Sequence, residues 1–317
     1  MHTHSESTKS CKPLKIFVFL LTGLFLLVGV SAINKNLLLA TIYNPIYLQV
    51  PDDVETIIIG SSDMQFGLNT ELIDNTINLA KPAENLFYSY YKLKFILNSN
   101  NKIKNVILGF TPGDLSKKRE FDLYKTQFLN IYFVLFDRQG DRLTHQRTKG
   151  YYYLRAKYRW GLPLELQKEF QIFFKILQKK ISAYDYSFCG GFYDRVGSNK
   201  INSDIYYANA FLNRKKEMQP RSAVMIEYLK KTVRLCKEKN VSLYLINTPK
   251  HSSFIELIPP NYEKLAAEVL NELKALNSEI HYHDYSQSGY GNDCFFDAAH
   301  LNSKGNKLFS REINKLF

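Results

Sequence analysis

The chain predicts an open α/β fold built on a parallel sheet, preceded by a membrane-spanning segment and interrupted by a basic insert. Three features of its 317 residues carry this reading. Short all-apolar runs that end in turn residues alternate with amphipathic stretches of helical period. Residues Ile16–Ile33 contain no charge. Residues Lys117–Glu217 hold 20 Lys and Arg against 10 Asp and Glu, so this stretch alone carries +10 of the chain's net +12. A hydrophobic fraction of 45% with 23% charged residues is that of a globular protein long enough to bury a full core.

The uncharged stretch is close to the lower length limit for a membrane span. Lys9, Lys12 and Lys15 precede it and only Lys35 follows closely, so residues 1–15 are expected in the cytoplasm and 16–33 in the membrane. The alternative is a cleaved signal peptide, because Val30-Ser31-Ala32 resembles a small-residue cleavage site. Both place everything from Asn34 onward outside the cytoplasm. The basic balance favours a polyanionic partner. An extracytoplasmic location excludes nucleic acid from the candidates and leaves an acidic glycan or anionic lipid.

Residues 34–54 read as an apolar, aromatic connector, and 55–317 as the α/β domain with its insert at 115–220. Thr56–Ile59 is the first strand, all apolar as a strand covered on both faces should be. Asn69–Ile77 reads as a short helix, Asn78–Ala80 as a strand and Leu86–Leu97 as an amphipathic helix. Asn105–Phe110 is a strand ending in the turn signal Thr111-Pro112-Gly113-Asp114. Helical stretches are expected near Phe128–Phe136 and Leu164–Ile181 in the insert. Alternation resumes with a helix at Ala223–Lys239, a strand at Val241–Ile246, a helix at Tyr262–Leu276 and a strand at Ile280–Tyr285. Ser303–Leu316 is the closing helix, with Asn302 as its N-cap and Leu308, Phe309, Ile313 and Leu316 as its apolar face.

Two segments read as halves of one site. Gly60-Ser61-Ser62 places a hydroxyl on a sharp turn at the carboxyl edge of the sheet, where open α/β sheets bind ligands. Asp297-Ala298-Ala299-His300 places an aspartate three residues before a histidine, spacing that lets a carboxylate orient an imidazole. If they meet, serine gains a base and the chemistry is acyl transfer. Each half alone is ordinary: Gly-Ser also ends structural strands, and Asp-x-x-His also starts helices.

Ile57-Ile58-Ile59-Gly60-Ser61-Ser62 together with Asp297-x-x-His300 resembles the SGNH/GDSL hydrolase superfamily, and more closely the membrane-anchored SGNH-like proteins of bacterial surface-polysaccharide O-acetylation clusters. The resemblance covers Glu55–Phe110 and Ala223 to the end, and Phe295–Gly305 is its most specific stretch. It implies a three-layer, flavodoxin-like parallel sheet with helices on both faces. It also implies Ser62 as nucleophile, His300 as base, Asp297 as orienter, no cofactor, and a glycan or acyl ester substrate with a membrane partner supplying the acyl group. Two departures stand out. The stretch Asn78–Ala83 lacks the family's oxyanion glycine, leaving main-chain N–H groups of Ser62, Ala80 or Ala83 for that role. The Gly-x-Asn-Asp block is replaced by Gly109–Asp114, where Thr111 is the candidate substitute donor.

His251 follows a strand end at the same sheet edge and is either a substrate contact or a surface histidine. Arg155, Arg159 and Trp160, amid Tyr151–Tyr153, could stack on and pair with an anionic sugar or pack as part of a cap. No metal-type cysteine spacing occurs, and His281 and His283 beside Asp284 lack a third ligand. Cys11 precedes the span, so at most one disulfide can form among Cys189, Cys236 and Cys294; a Cys189–Cys294 bridge would brace the Asp297 loop, and three separate thiols is the other reading.

Overall fold

The structure, a computed structural model, describes residues 13–25, 29, 50–121, 123, 190–198, 201–213 and 215–317. The chain divides into two compact units, residues 1–44 with 150–183 and residues 45–149 with 184–317. In the first unit, residues 13–25 are helical and expose apolar side chains such as Leu14, Phe19 and Phe25. Among the described residues no helix is long and apolar enough to cross a membrane; residues 26–28 and 30–33 of the expected span lie outside them. The expected insert helices near 128–136 and 164–181 also lie outside the described residues, as do Arg155, Arg159, Trp160 and Cys189.

Among its described residues, the second unit is built on five parallel strands: β1 (Thr56–Ile59), β2 (Thr76–Asn78), β3 (Asn105–Gly109), β4 (Ser242–Asn247) and β5 (Ile280–Asp284), in the spatial order β2-β1-β3-β4-β5. This is the doubly wound order whose switch point falls beside β1, and the crevice there opens at the carboxyl ends of the strands. Every residue of β1 is buried, which explains its unbroken apolar run.

Successive side chains of a strand point to opposite faces. On one face, Ile58, Ile107 and Ile246 form a core with Met64, Leu68, Phe309 and Ile313, supplied largely by helices α1 (Ser62–Gly67) and α8 (Ser303–Ile313). A second layer consists of α2 (Leu86–Ser99), α5 (Ala223–Glu238) and α7 (Pro260–Leu276), with α5 packed between the other two. Short helices α3 (Lys118–Phe121) and α6 (Ser252–Ile255) and the nine-residue α4 (Ser203–Phe211) lie over the carboxyl edge, with α4 touching each of the other two.

Most expected elements fall within a residue or two of the sequence reading; the helix over 69–77 and the closing helix differ, and α1, α3, α4 and α6 stand where no helix was expected. The expected helix over 69–77 is only a 3-10 turn at Thr70–Leu72, capped by the Asn69 side chain. Asn75, at a φ of 49°, turns the chain left-handed and ends any helix there. The second strand consequently starts earlier, at Thr76, and pairs Thr76 with Thr56. Helix α1 was not expected at all, because six residues are too few to display a period. The closing helix buries Phe309 and Ile313 as expected but leaves Leu308 43% exposed; Gly305, Asn306 and Ser310 take the buried positions instead.

Gly305 sits where α8 starts, under the loop that carries His300. A Cβ there would press into the carbonyl oxygen of Cys294, a backbone atom that also accepts from Asn302 N–H. Gly305→Ala is expected to cost about 2–3 kcal/mol by forcing that backbone apart. Urea unfolding of the variant beside wild type measures this, and an unchanged midpoint would contradict it.

Candidate active site

β1 ends at Gly60, whose φ of 129° suits glycine; an added Cβ would stand 3.1 Å from both Gly109 N and Met64 Cγ. The chain turns there so that Ser61 caps α1 and Ser62 is its first residue. The Ser62 hydroxyl therefore stands at a helix N-terminus, where the Ser62 N–H has no intrahelical partner and the first helical bonds run from Met64 and Gln65 N–H to Ser61 O.

The two sequence halves meet. His300 Nε2 lies 2.8 Å from Ser62 Oγ, and His300 Nδ1 lies 2.8 and 3.0 Å from the two Asp297 oxygens. Asp297 Oδ1 also accepts the main-chain N–H groups of Ala299 (3.0 Å) and His300 (2.9 Å), so the Asp-x-x-His spacing closes a turn as well as a side-chain pair. Arg195 Nη1 donates to Asp297 Oδ2 at 3.0 Å, and the Tyr206 hydroxyl interacts with the same carboxylate.

Burial pushes the Asp297 carboxyl up, but the hydrogen bond and charge of His300 and the interactions with Tyr206 and Ala299 outweigh it, holding the group at about 2. The group is therefore ionised and accepts only. That assigns the His300 proton to Nδ1 and leaves Nε2 as an acceptor for Ser62 O–H. The imidazole is also gripped sideways, with Phe66 and Tyr206 both edge-on to it at 5.2 and 5.7 Å between centroids. Burial, then the interaction with and charge of Asp297, push the Tyr206 hydroxyl up, so it stays protonated.

Ser62 and His300 face a cavity of about 190 Å³. Its walls come from the loops after β1, β3 and β4, the Ala299-His300 turn, and α4 of the insert, which contributes Tyr206, Asn209 and Phe211. Ala83 lines it with a φ of 59°. The Ser62 and Ala83 main-chain N–H groups have no hydrogen-bond partner among the described residues.

Three sequence expectations need correction. The Ala80 N–H is engaged by Asn78 Oδ1 at 2.9 Å, and Ala80 is fully buried away from the cavity, so it is no oxyanion donor. Thr111 does line the cavity, yet its N–H and its hydroxyl both donate to Asp114 Oδ2 at 2.9 Å. It closes the capping box of the following 3-10 turn and has no donor to spare. His251 is an N-cap: Nδ1 accepts from Ser253 N–H, Nε2 lies 3.0 Å from Asn292 Oδ1, and the ring stays outside the cavity. Cys294 is a free, buried thiol, as is Cys236.

Four residues in or around the site escaped the sequence reading. Arg195 and Tyr206 come from the end of the insert, where nothing in the pattern distinguishes them. Arg195 lies 3.9 Å from the Phe66 ring centre and 4.6 Å from that of Phe296, a sandwich that fixes its reach to Asp297. Asp63 and Lys250 were visible in principle. Asp63 adjoins Ser62, and Lys250 follows the β4 terminus at the same edge.

Lys250 Nζ bonds Thr248 Oγ1 (2.7 Å) and Ala299 O (3.1 Å) and lies 3.1 Å from Asp63 Oδ1, with both side chains largely buried. Burial pushes the Asp63 carboxyl up, but the charges of Lys250, His300 and Arg119 hold it below the usual carboxylate range. Lys250→Met leaves that carboxylate without its cation. The expected cost is about 3 kcal/mol at neutral pH. Asp63 in the variant takes a proton more readily when folded than unfolded, so the deficit shrinks as pH falls. Urea titrations at two pH values test this, and adding Asp63→Asn to the variant should recover most of the loss.

Sequence comparison with curated proteins gives no significant match. A protein-family model matches residues 180–317, less than half of the chain. Among solved structures, a Bacteroides fragilis protein provisionally described as an acylhydrolase matches with a TM-score of 0.35 and 11% identity, over 86% of this chain and 93% of that one. The class defined by the fold itself is the α/β proteins with a five-stranded parallel sheet flanked by helices. Within that class, the carboxyl edge of this chain carries a serine, a histidine and an aspartate in one hydrogen-bonded row.

Proposed function

We propose that this chain is an SGNH-like serine esterase or O-acyltransferase, anchored at its amino end and acting outside the cytoplasm on a cell-surface glycan. The observation that carries the reading is the row Ser62–His300–Asp297 with its hydrogen at Nδ1, opening on a cavity at the sheet's carboxyl edge. In this mechanism His300 Nε2 takes the Ser62 proton while Oγ attacks an ester or thioester carbonyl. Asp297 stabilises the resulting imidazolium. The Ser62 and Ala83 N–H groups face the developing oxyanion. The C–O or C–S bond to the leaving group breaks as His300 returns the proton to it, leaving an acyl-serine. A glycan hydroxyl or water then gives its proton to His300 and attacks the same carbonyl, and the proton returns to Ser62 Oγ as it leaves.

The small cavity supports a short acyl group, acetyl being the expected one. The exposed apolar side chains of residues 13–25 and the lysines before them support an amino-terminal anchor. On this reading Arg155, Arg159 and Trp160 contact the glycan, and a membrane partner delivers the acyl group.

A second reading has its own support: the Ala80 and Thr111 donors are both engaged. A missing oxyanion donor costs about a hundredfold or more in rate. A chain that had lost turnover altogether would act as a binding or scaffold subunit of a polysaccharide-modifying complex. A fluorophosphonate probe on the detergent-solubilised full-length chain separates the two. An adduct mapped to Ser62 by mass spectrometry supports the enzyme. No adduct, together with full function of a Ser62→Ala strain in glycan acetylation, supports the scaffold.

A further inference from the structure

We propose that Asp63 is the residue that selects the acceptor, its carboxylate holding a second hydroxyl of a neutral polyol while the neighbouring hydroxyl attacks the acyl-serine. This rests on the acyl-transfer reading above.

The proton relay has no need of this group, since Asp297 already orients His300 and balances its charge. Yet Asp63 Oδ1 stands 3.7 Å from His300 Nε2, the nitrogen that must receive the acceptor's proton. Lys250 pins the carboxylate from behind, and the two other polar contacts of Nζ tie that lysine to Thr248 and Ala299. Among the described residues Asp63 Oδ2 has no donor partner, although a carboxylate oxygen can accept two. A fixed, ionised acceptor with open capacity therefore borders the cavity beside the reacting nitrogen.

A hydroxyl poised on His300 Nε2 has its vicinal neighbour within reach of this carboxylate. Water can offer Asp63 its second hydrogen but has no carbon frame for the cavity walls to hold, whereas a diol engages Asp63 and His300 through two hydroxyls of one ring and is held in place for attack. A carboxylate or phosphate at the same spot meets like charge and is disfavoured. The remaining walls suit a sugar ring: Asn209 and Asn247 are polar, while Phe211, Phe254 and Ile258 are apolar. The bookkeeping of the step is that of deacylation: the acyl carbon exchanges Ser62 Oγ for the acceptor oxygen, and the acceptor proton passes through His300 to Ser62.

The test uses the full-length protein in detergent with p-nitrophenyl acetate as donor, and methyl glucoside or glucuronate as acceptor. The readout is acetylated sugar formed per acetate released. Both products arise from one acyl-enzyme, so the ratio is independent of how much of a variant folds. Wild type is expected to acetylate methyl glucoside well above glucuronate. Asp63→Asn should lower the methyl glucoside ratio about fivefold and Asp63→Ala about tenfold, the difference between a charged and a lost hydrogen-bond partner. Both variants should also narrow the preference over glucuronate. Equal acceptance of the two sugars by wild type, or a ratio unchanged in both variants, overturns the role of Asp63 while an acyl group found on Ser62 preserves the reading beneath it. Absence of any acyl-serine in wild type removes both.

Discussion

Ser62→Ala is expected to lower acyl-enzyme formation by about 10⁴-fold or more, with stability almost unchanged. The size follows from how such groups work as a unit: without the nucleophile, His300 and Asp297 have nothing to activate, and only binding and main-chain donors remain. The indifference of stability follows from this chain's geometry. Among the described residues the Ser62 hydroxyl makes one hydrogen bond, to His300 Nε2, at a helix first position where alanine is equally at home. The methyl left behind fills nearly the same space and keeps the Ser62 N–H in place. Two measurements belong together here: the burst of p-nitrophenol from p-nitrophenyl acetate, and the thermal midpoint. Loss of the burst with an unchanged midpoint is the expected pair. A variant that still gives a burst would move the nucleophile elsewhere, and Ser61 beside it in the same cavity is the first residue to examine.

How far the sequence foretells this arrangement depends on the range of each interaction. Strand β1 and the Asp297–Asn302 turn are legible because their signals are local. An apolar run must be buried on both faces, and an aspartate three residues before a histidine can bond that residue's N–H and ring together. The contact between the two segments spans 238 residues and follows from the sheet order, which places β1 inside the sheet between β2 and β3, at the switch point. Arg195 is a different case. It reaches Asp297 because residues 190–198 are stitched onto the α/β unit, Gly191 N–H to Ala80 O, Tyr193 N–H to Gln65 O, and Ser303 N–H to Arg195 O. Those are main-chain bonds, and the side chains that would announce them carry no pattern.

Of the three candidate oxyanion donors, Ala80 falls away for a related reason. Lacking a glycine, the 78–83 stretch offered several N–H groups, and sequence cannot say which one a neighbouring side chain occupies. Asn78 decides it: its side chain accepts Ala80 N–H and donates to Met64 O and Leu68 O, tying β2 to α1. The same tie leaves Ala83, further along the turn, facing the cavity.

Asp297→Asn should cost nearly as much as loss of Ser62, about 10⁴-fold in turnover, through the position of one hydrogen. Among the described residues the carboxylate accepts from four groups and donates to none: the His300 ring, the His300 and Ala299 main chain, and Arg195. An amide has one oxygen and one NH2, and the two main-chain N–H groups with Arg195 compete for that oxygen. The NH2 turned toward His300 would donate to Nδ1, driving the ring proton to Nε2, where it faces Ser62 and blocks proton abstraction. Arg195 would then lose its anionic partner while staying packed between Phe66 and Phe296. The variant also carries a pH signature. In wild type the Asp297 carboxyl lies at about 2, below its unfolded value, so its contribution to stability is complete above that unfolded value and is lost as pH falls toward 2. Asp297→Asn has no such group, so its stability relative to wild type should be lowest at neutral pH and converge on wild type as the medium is acidified. Equilibrium unfolding across that range, read beside the burst assay, separates the two effects. A constant gap at every pH would mean that the carboxylate's charge contributes nothing to the fold. A full burst in the variant would mean that the ring proton is fixed by something other than Asp297.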